Sequence, residues 1–145
     1  MEKLNKFEEF IKKGKLKKAG FSTEMILKEL EVGKKDLLSA KDSFKKNDNK
    51  WATIQAYYSI YHAVRALLFK SGYREESHTA LKVAFRELYI NSKILDIKVY
   101  NALERGMDLR ELADYKETFS KEGAEILLQN VEDAILIIED LLLNK

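Results

Sequence analysis

Two groups of polar residues interrupt otherwise apolar helical patterns, and both are of types that do chemistry. Extending the spacing of Tyr100, Leu103 and Met107 by one turn lands on Arg110, and one turn further on Asp114. A charged pair therefore stands on an apolar face where a core residue is expected. The two are four apart, so carboxylate and guanidinium can meet along a helix, and Tyr115 follows at once. Such a pair is either a local salt bridge near a helix end or a guanidinium aimed at phosphate and held by its helical neighbour. The second group is Tyr58, His62 and Arg65, which share one helical stripe. An imidazole there, with an ordinary pKa of about 6.5, serves either as a general base or as a hydrogen-bonded structural residue. His78 falls in a turn before a further helix, where it is free for chemistry or for the cap.

Composition narrows what these residues can be part of. The 145 residues include two histidines and no cysteine, which excludes a disulfide scaffold, a thiolate nucleophile and any Cys-based zinc or iron–sulfur site. No ligand spacing points to a metal, and no cofactor is expected. A glycine-rich phosphate loop and a G-x-S-x-G element are both missing, which removes most of the weight from kinase and hydrolase readings. The net charge of +2 is too small to argue for nucleic acid by itself, but it is unevenly spread. Residues 1–100 carry 21 basic against 13 acidic side chains, and residues 101–145 carry 5 against 11. Lys12, Lys13, Lys15, Lys17 and Lys18 form the densest basic run, either a solvated tail or a nonspecific phosphate contact. Met1 to Gly14 lacks the apolar core of a signal peptide, and apolar runs such as Ala134–Ile138 are too short to span a bilayer. A cytoplasmic protein without a membrane partner is the expectation.

The elements that must position these groups are helices. Proline is absent, and proline costs about 3 kcal/mol inside a helix. A short amphipathic element with Leu4, Phe7, Phe10 and Ile11 ends near Gly14. Ser22 or Thr23 caps a long helix whose seam is Ile26, Leu30, Gly33, Leu37, Ala40 and Phe44, at alternating spacings of four and three. Asn47-Asp48-Asn49 supplies a turn and the next cap. The helix from about Trp51 to Ser71 carries two stripes, small (Ala52, Ala56, Ser59, Ala63, Ala66) and bulky (Ile54, Tyr57, Tyr61, Val64, Leu68). Two packed faces imply a central helix, closely approached on the small side. Gly72 suits its end. Ser77 caps a helix with Leu81, Ala84, Phe85 and Leu88; after a turn at Asn91–Ser92 comes the helix of Arg110. Ser120 caps a last one with Leu127, Leu128, Val131, Ile135, Ile138 and Leu142, where Glu122 and Glu125 suit the positive end of the dipole. The expected fold is all-α: an antiparallel up-and-down bundle of four main helices plus short additional ones. A basic amphipathic segment, residues 1–21, precedes a bundle of residues 22–145.

The string Ala56-Tyr57-Tyr58-Ser59-Ile60-Tyr61-His62-Ala63-Val64-Arg65-Ala66-Leu67-Leu68 resembles the central helix of small prokaryotic HEPN-domain proteins. Gly72-Tyr73 with Ser77-His78, the segment Leu109-Arg110-Glu111-Leu112-Ala113-Asp114-Tyr115 and the final acidic helix continue the resemblance, from about Ser22 to Leu143. It implies a bundle of four or five helices, usually dimeric. Such proteins are often encoded beside a small nucleotidyltransferase, as a toxin–antitoxin pair or as its substrate-binding-like subunit. Many are metal-independent ribonucleases: an arginine, often followed by a polar residue, precedes a histidine by four to six intervening positions, and two copies face each other across the dimer to cleave RNA through its 2′-hydroxyl.

By that resemblance Arg110 matches the motif arginine and Glu111 the polar position after it, but Tyr115 stands where a histidine would. The segment is similar to the branch that reads Arg-x-x-Ala-Asp-Tyr. His62 or His78 replaces the missing imidazole if the bundle brings one near Arg110. In some related toxins the partner adenylylates a tyrosine near this motif, and Tyr115 is the nearest equivalent. Three functions follow: a noncatalytic or weakly catalytic dimeric partner of a nucleotidyltransferase that recognises nucleotide or RNA; an active ribonuclease toxin; or a helical adaptor. Arg110, Asp114 and Tyr115 are the candidate catalytic group, and Glu111, Tyr58, His62, Arg65 and His78 the candidate binding residues.

Overall fold

The computed structural model describes residues 3–144. Six α-helices run in the order α1 Lys6–Lys12, α2 Thr23–Lys45, α3 Asn49–Lys70, α4 His78–Phe85, α5 Ile97–Tyr115 and α6 Lys121–Leu143. Two three-residue strands, β1 Leu16–Lys18 and β2 Tyr73–Glu75, pair antiparallel. The four long helices α2, α3, α5 and α6 form the bundle, so the fold is all-α. Residues 46–48 join α2 to α3 and residues 116–120 join α5 to α6, and connections that short make antiparallel neighbours.

Local chemistry sets the boundaries. Ser22 accepts from the Met25 N–H at 3.1 Å to start α2, and Asp48 accepts from the Trp51 N–H at 3.2 Å to start α3. Between them Asn47 takes a positive φ of 63°, a conformation asparagine tolerates better than most. Ser77 and Ser120 cap α4 and α6 in the same way. Each such cap satisfies an otherwise orphaned donor and is worth about 1 kcal/mol.

α3 is the central helix, packed on α2, α5 and α6. Fourteen of its 22 residues are buried, which leaves no room for the broad polar face of a surface helix. Its small stripe meets α2 at Gly33, where an added Cβ would stand 2.7 Å from the Ser59 carbonyl. Ser59 Oγ donates to the Gly33 carbonyl at 2.7 Å across the same contact. The bulky stripe meets α5 at Gly106, where an added Cβ would stand 3.2 Å from the Tyr57 ring. Beyond α4 a π-helical turn, Arg86–Ile90, carries Tyr89, whose hydroxyl donates to the Leu67 carbonyl at 2.9 Å and pins the end of α3.

The two strands differ from the sequence expectation. The basic run is not a free tail: Leu16 is 1% exposed and lies opposite Glu75, while Lys17 faces Arg74 and Lys18 faces Tyr73. One leucine among lysines holds the segment down, and its strand partner lies far along the chain, so no local pattern announces the pairing. The lysine side chains themselves stay exposed. No helix among the described residues is long and apolar enough to cross a membrane.

Candidate functional site

The close approach at Gly106 places the next turn of α5 over the aromatic residues of α3. Arg110 Nη2 donates to Tyr58 Oη at 2.9 Å and lies 3.6 Å from the Asp114 carboxylate. The pairing along the helix therefore forms, but beyond hydrogen-bond length, and the phenol is the nearer partner. The guanidinium carbon lies 5.5 Å from the Tyr58 ring centre, 5.4 Å from that of Tyr115 and 6.0 Å from that of Tyr57. Phenol faces are electrostatically favourable neighbours for a cation. Arg110 Nε is buried and has no acceptor, an unsatisfied donor of the kind that costs about 1–3 kcal/mol.

α4 brings in the imidazole. Its Ser77 cap fixes the helix start, and His78 Nδ1 lies 2.5 Å from Tyr57 Oη. The imidazole also sits 4.6 Å from the Tyr61 ring. Tyr57, His78, Thr79, Met107, Arg110, Glu111 and Tyr115 line one open cleft of about 310 Å³. Burial, and after it the positive charge of Arg110, hold His78 below its ordinary pKa, with Glu75 and Glu111 pulling the other way. Burial also pushes the Tyr57 phenol far up, so it keeps its proton. One ring nitrogen of a neutral His78 is thus committed to Tyr57, and the other is the one available to a ligand. Glu111 and Tyr115 also border a neighbouring hollow of about 320 Å³ with Asp108, Leu112 and Lys116. Tyr115 is 70% exposed.

The stripe Tyr58, His62, Arg65 does not act together. Tyr58 belongs to the Arg110 cleft. His62 turns to α2, with Nδ1 2.9 Å from Glu29 and Nε2 3.9 Å from Asp36. Burial raises the Asp36 carboxyl above its ordinary range, and the nearby His62 opposes that rise. Arg65 turns to β2, where its Nε is 3.0 Å from Glu75, and its cation lies over Phe69 at 5.3 Å. Glu75 is 5% exposed and also accepts from Tyr61 Oη at 2.6 Å. Its other oxygen is buried without a partner.

Of the candidates from sequence, Arg110, Asp114, Tyr115, Glu111, Tyr58 and His78 are therefore brought together, and His62 and Arg65 are held elsewhere. The sequence pattern places Tyr57 in the bulky core stripe and does not show its place beside His78. A signal existed: a phenol on a buried face must find a hydrogen-bond partner. Glu75 gave no such signal, because its burial depends on the strand pairing. Among the described residues no group of three or more His, Cys, Asp or Glu side chains is arranged to hold a metal ion.

A four-helix bundle with a central small-residue helix, and an arginine–phenol–imidazole cleft between α3, α4 and α5, defines the class of domain. The HEPN domain model matches residues 26–141, and the chain belongs to that family. It is similar to two proteins of Methanocaldococcus jannaschii. One, named "Putative toxin MJ0142", is 27% identical over 101 residues, covering 68% of this chain and 69% of that protein. The other, named "Putative toxin MJ0605", is 26% identical over 104 residues, covering 71% and 78%.

Proposed function

We propose that this chain is the toxin-type HEPN component of a toxin–antitoxin pair, a homodimer that works with a nucleotidyltransferase and engages the phosphate of a nucleotide or RNA through the Arg110 cleft. The observation that carries this reading is the state of Arg110. Its guanidinium is largely buried, held by Tyr58 and Asp114, left with one orphaned N–H, and set in an open cleft beside a neutralised imidazole. A planar fork in that setting suits a phosphate oxyanion. The names of the two archaeal relatives and the family's frequent pairing with nucleotidyltransferases support the toxin and partner assignments. Tyr115, exposed and 5.4 Å from the Arg110 cation, is the residue positioned to take an adenylyl group from a nucleoside triphosphate held by the partner, its phenol oxygen displacing pyrophosphate.

A second reading, metal-independent RNA cleavage, is favoured by one specific observation. His78 reaches the cleft of Arg110 although the motif position after it holds Tyr115. A neutral imidazole beside a guanidinium is the pairing needed to take the 2′-hydroxyl proton and stabilise the phosphorane. Growth assays with this gene alone, with a coexpressed nucleotidyltransferase, and with Arg110→Ala and His78→Gln variants separate the two readings. Arrest abolished by either substitution and relieved by the partner supports cleavage. A stable complex without arrest, weakened by Arg110→Ala, supports the binding subunit. Arrest and complex formation both unchanged in Arg110→Ala would remove the cleft from either role.

A further inference from the structure

We infer that the β1–β2 ribbon is a second, separate anion-binding surface, and that its ligand is the phosphate backbone of single-stranded RNA. In an antiparallel pair, opposite residues share a face. Leu16 and Glu75 face inward and are buried, so Lys17 and Arg74 stand together on the outer face. Like charges directly opposite each other destabilise a ribbon, and this one keeps them. Lys15 precedes Leu16 on the same alternation, and Lys13 and Lys70 lie at the neighbouring helix ends, all exposed. Among the described residues none of these cations, nor Lys18, lies within ion-pair distance of a carboxylate. Lys34, Lys41, Lys50 and Lys82 each have one. Glu76 is the acidic residue beside the ribbon, and it pairs with none of them.

The ribbon is also rigidly mounted. The Lys15 N–H donates to the Phe10 carbonyl at 2.8 Å, the Ala19 N–H to Gly72 at 3.0 Å and the Glu76 N–H to Lys15 at 2.9 Å. Phe7 packs edge-on against Tyr73 at 5.4 Å, and Glu75 is tied to Tyr61 and Arg65 beneath. Cations on a fixed backbone give up only side-chain freedom when an anion binds. A lipid surface fits less well, since binding there draws on apolar side chains that enter the interface. Tyr73 of the ribbon is instead turned against Phe7, and Phe21 beyond β1 is stacked on Phe69 at 3.8 Å. β2 leads through the Ser77 cap into His78, which lines the Arg110 cleft. The choice of RNA over other polyanions rests on the function proposed above; the existence of the surface does not.

The test is fluorescence anisotropy of the full chain with a labelled single-stranded RNA of roughly 20 nucleotides, longer than one fold covers. The triple variant Lys15→Gln, Lys17→Gln, Arg74→Gln is compared with a triple of equal charge change at exposed helix positions, Lys28→Gln, Lys45→Gln, Lys121→Gln. The ribbon triple should bind roughly tenfold or more weakly, and its plot of log affinity against log salt should be shallower by roughly 2, at about 0.7 per phosphate contact. The control triple should lose less than about twofold. Equal losses in the two triples overturn the inference. So does binding of wild-type protein to phosphatidylserine vesicles with no affinity for RNA. The ribbon triple should melt no lower than wild type, because it removes a like-charge pair, so lost binding cannot be assigned to unfolding. Arg110→Ala separates the two surfaces. If it alone abolishes RNA binding, the ribbon inference fails and the cleft reading stands. If the ribbon triple weakens binding while Arg110→Ala changes neither growth nor partner binding, the ribbon stands and the cleft reading fails.

Discussion

The two histidines occupy opposite electrostatic settings within one small bundle. His62, in the middle of α3, turns to α2, and both of its ring nitrogens face carboxylates, Glu29 at 2.9 Å and Asp36 at 3.9 Å. His78, at the start of α4, is set among two phenols and a guanidinium, with one nitrogen bonded to Tyr57 and the other uncommitted. His62 is a strut between two helices, hydrogen-bonded to Glu29 through one nitrogen and facing Asp36 across a longer gap with the other. His78 has a partly buried cation beside it and an open cleft before it, so its surroundings make sense when a ligand is counted in. Residue type is the same in both places. The neighbours decide which one is available for chemistry.

The most damaging way to disturb the His62 side is at its foundation. Gly33→Ala puts a Cβ 2.7 Å from the Ser59 backbone carbonyl, and a backbone atom cannot swing away. The expected loss is about 3 kcal/mol, at the upper end of the overpacking range, or roughly 10 °C in melting temperature. Calorimetry checks the loss. The proton signals of His62 should shift in the folded fraction while those of His78 stay in place.

Next in size is the cation that sets His78 apart. Arg110→Ala breaks the bond to Tyr58 and should cost about 2 kcal/mol in a denaturant titration. It also removes a charge that holds His78 down, so the His78 titration followed by NMR should move up toward the ordinary value. A His78 titration left where it was would dissolve the contrast between the two histidines.

A smaller effect is the pH dependence that His78 contributes. Its folded pKa lies below the ordinary 6.5, so between the two values the unfolded chain holds the extra proton. The stability from neutral His78 is therefore present in full above about 6.5 and is lost as pH falls through the folded value. His78→Gln should flatten that part of the stability profile, below about pH 6.5. Smallest is His62→Gln, which loses a partly exposed pairing worth at most about 1 kcal/mol and should leave RNA affinity, partner binding and any growth effect unchanged.

Most of the fold could be read from local pattern because helices are local structures. The hydroxyls of Ser22, Ser77 and Ser120 and the carboxylate of Asp48 start helices by bonding to N–H groups a few residues away, and the small and bulky stripes of α3 follow one period. The same periodicity placed Arg110 on the inner face of α5, because residues three and four apart share a face whatever lies opposite. It could not show what does lie opposite. That Tyr58 rather than Asp114 is the nearer partner of Arg110, that His78 and not His62 joins it, and that Lys17 meets Arg74 across a strand pair are contacts between residues far apart in the chain. Spacing in sequence carries no record of which faces meet. Packing of α5 on α3 at Gly106, and burial of Leu16 opposite Glu75, settled them.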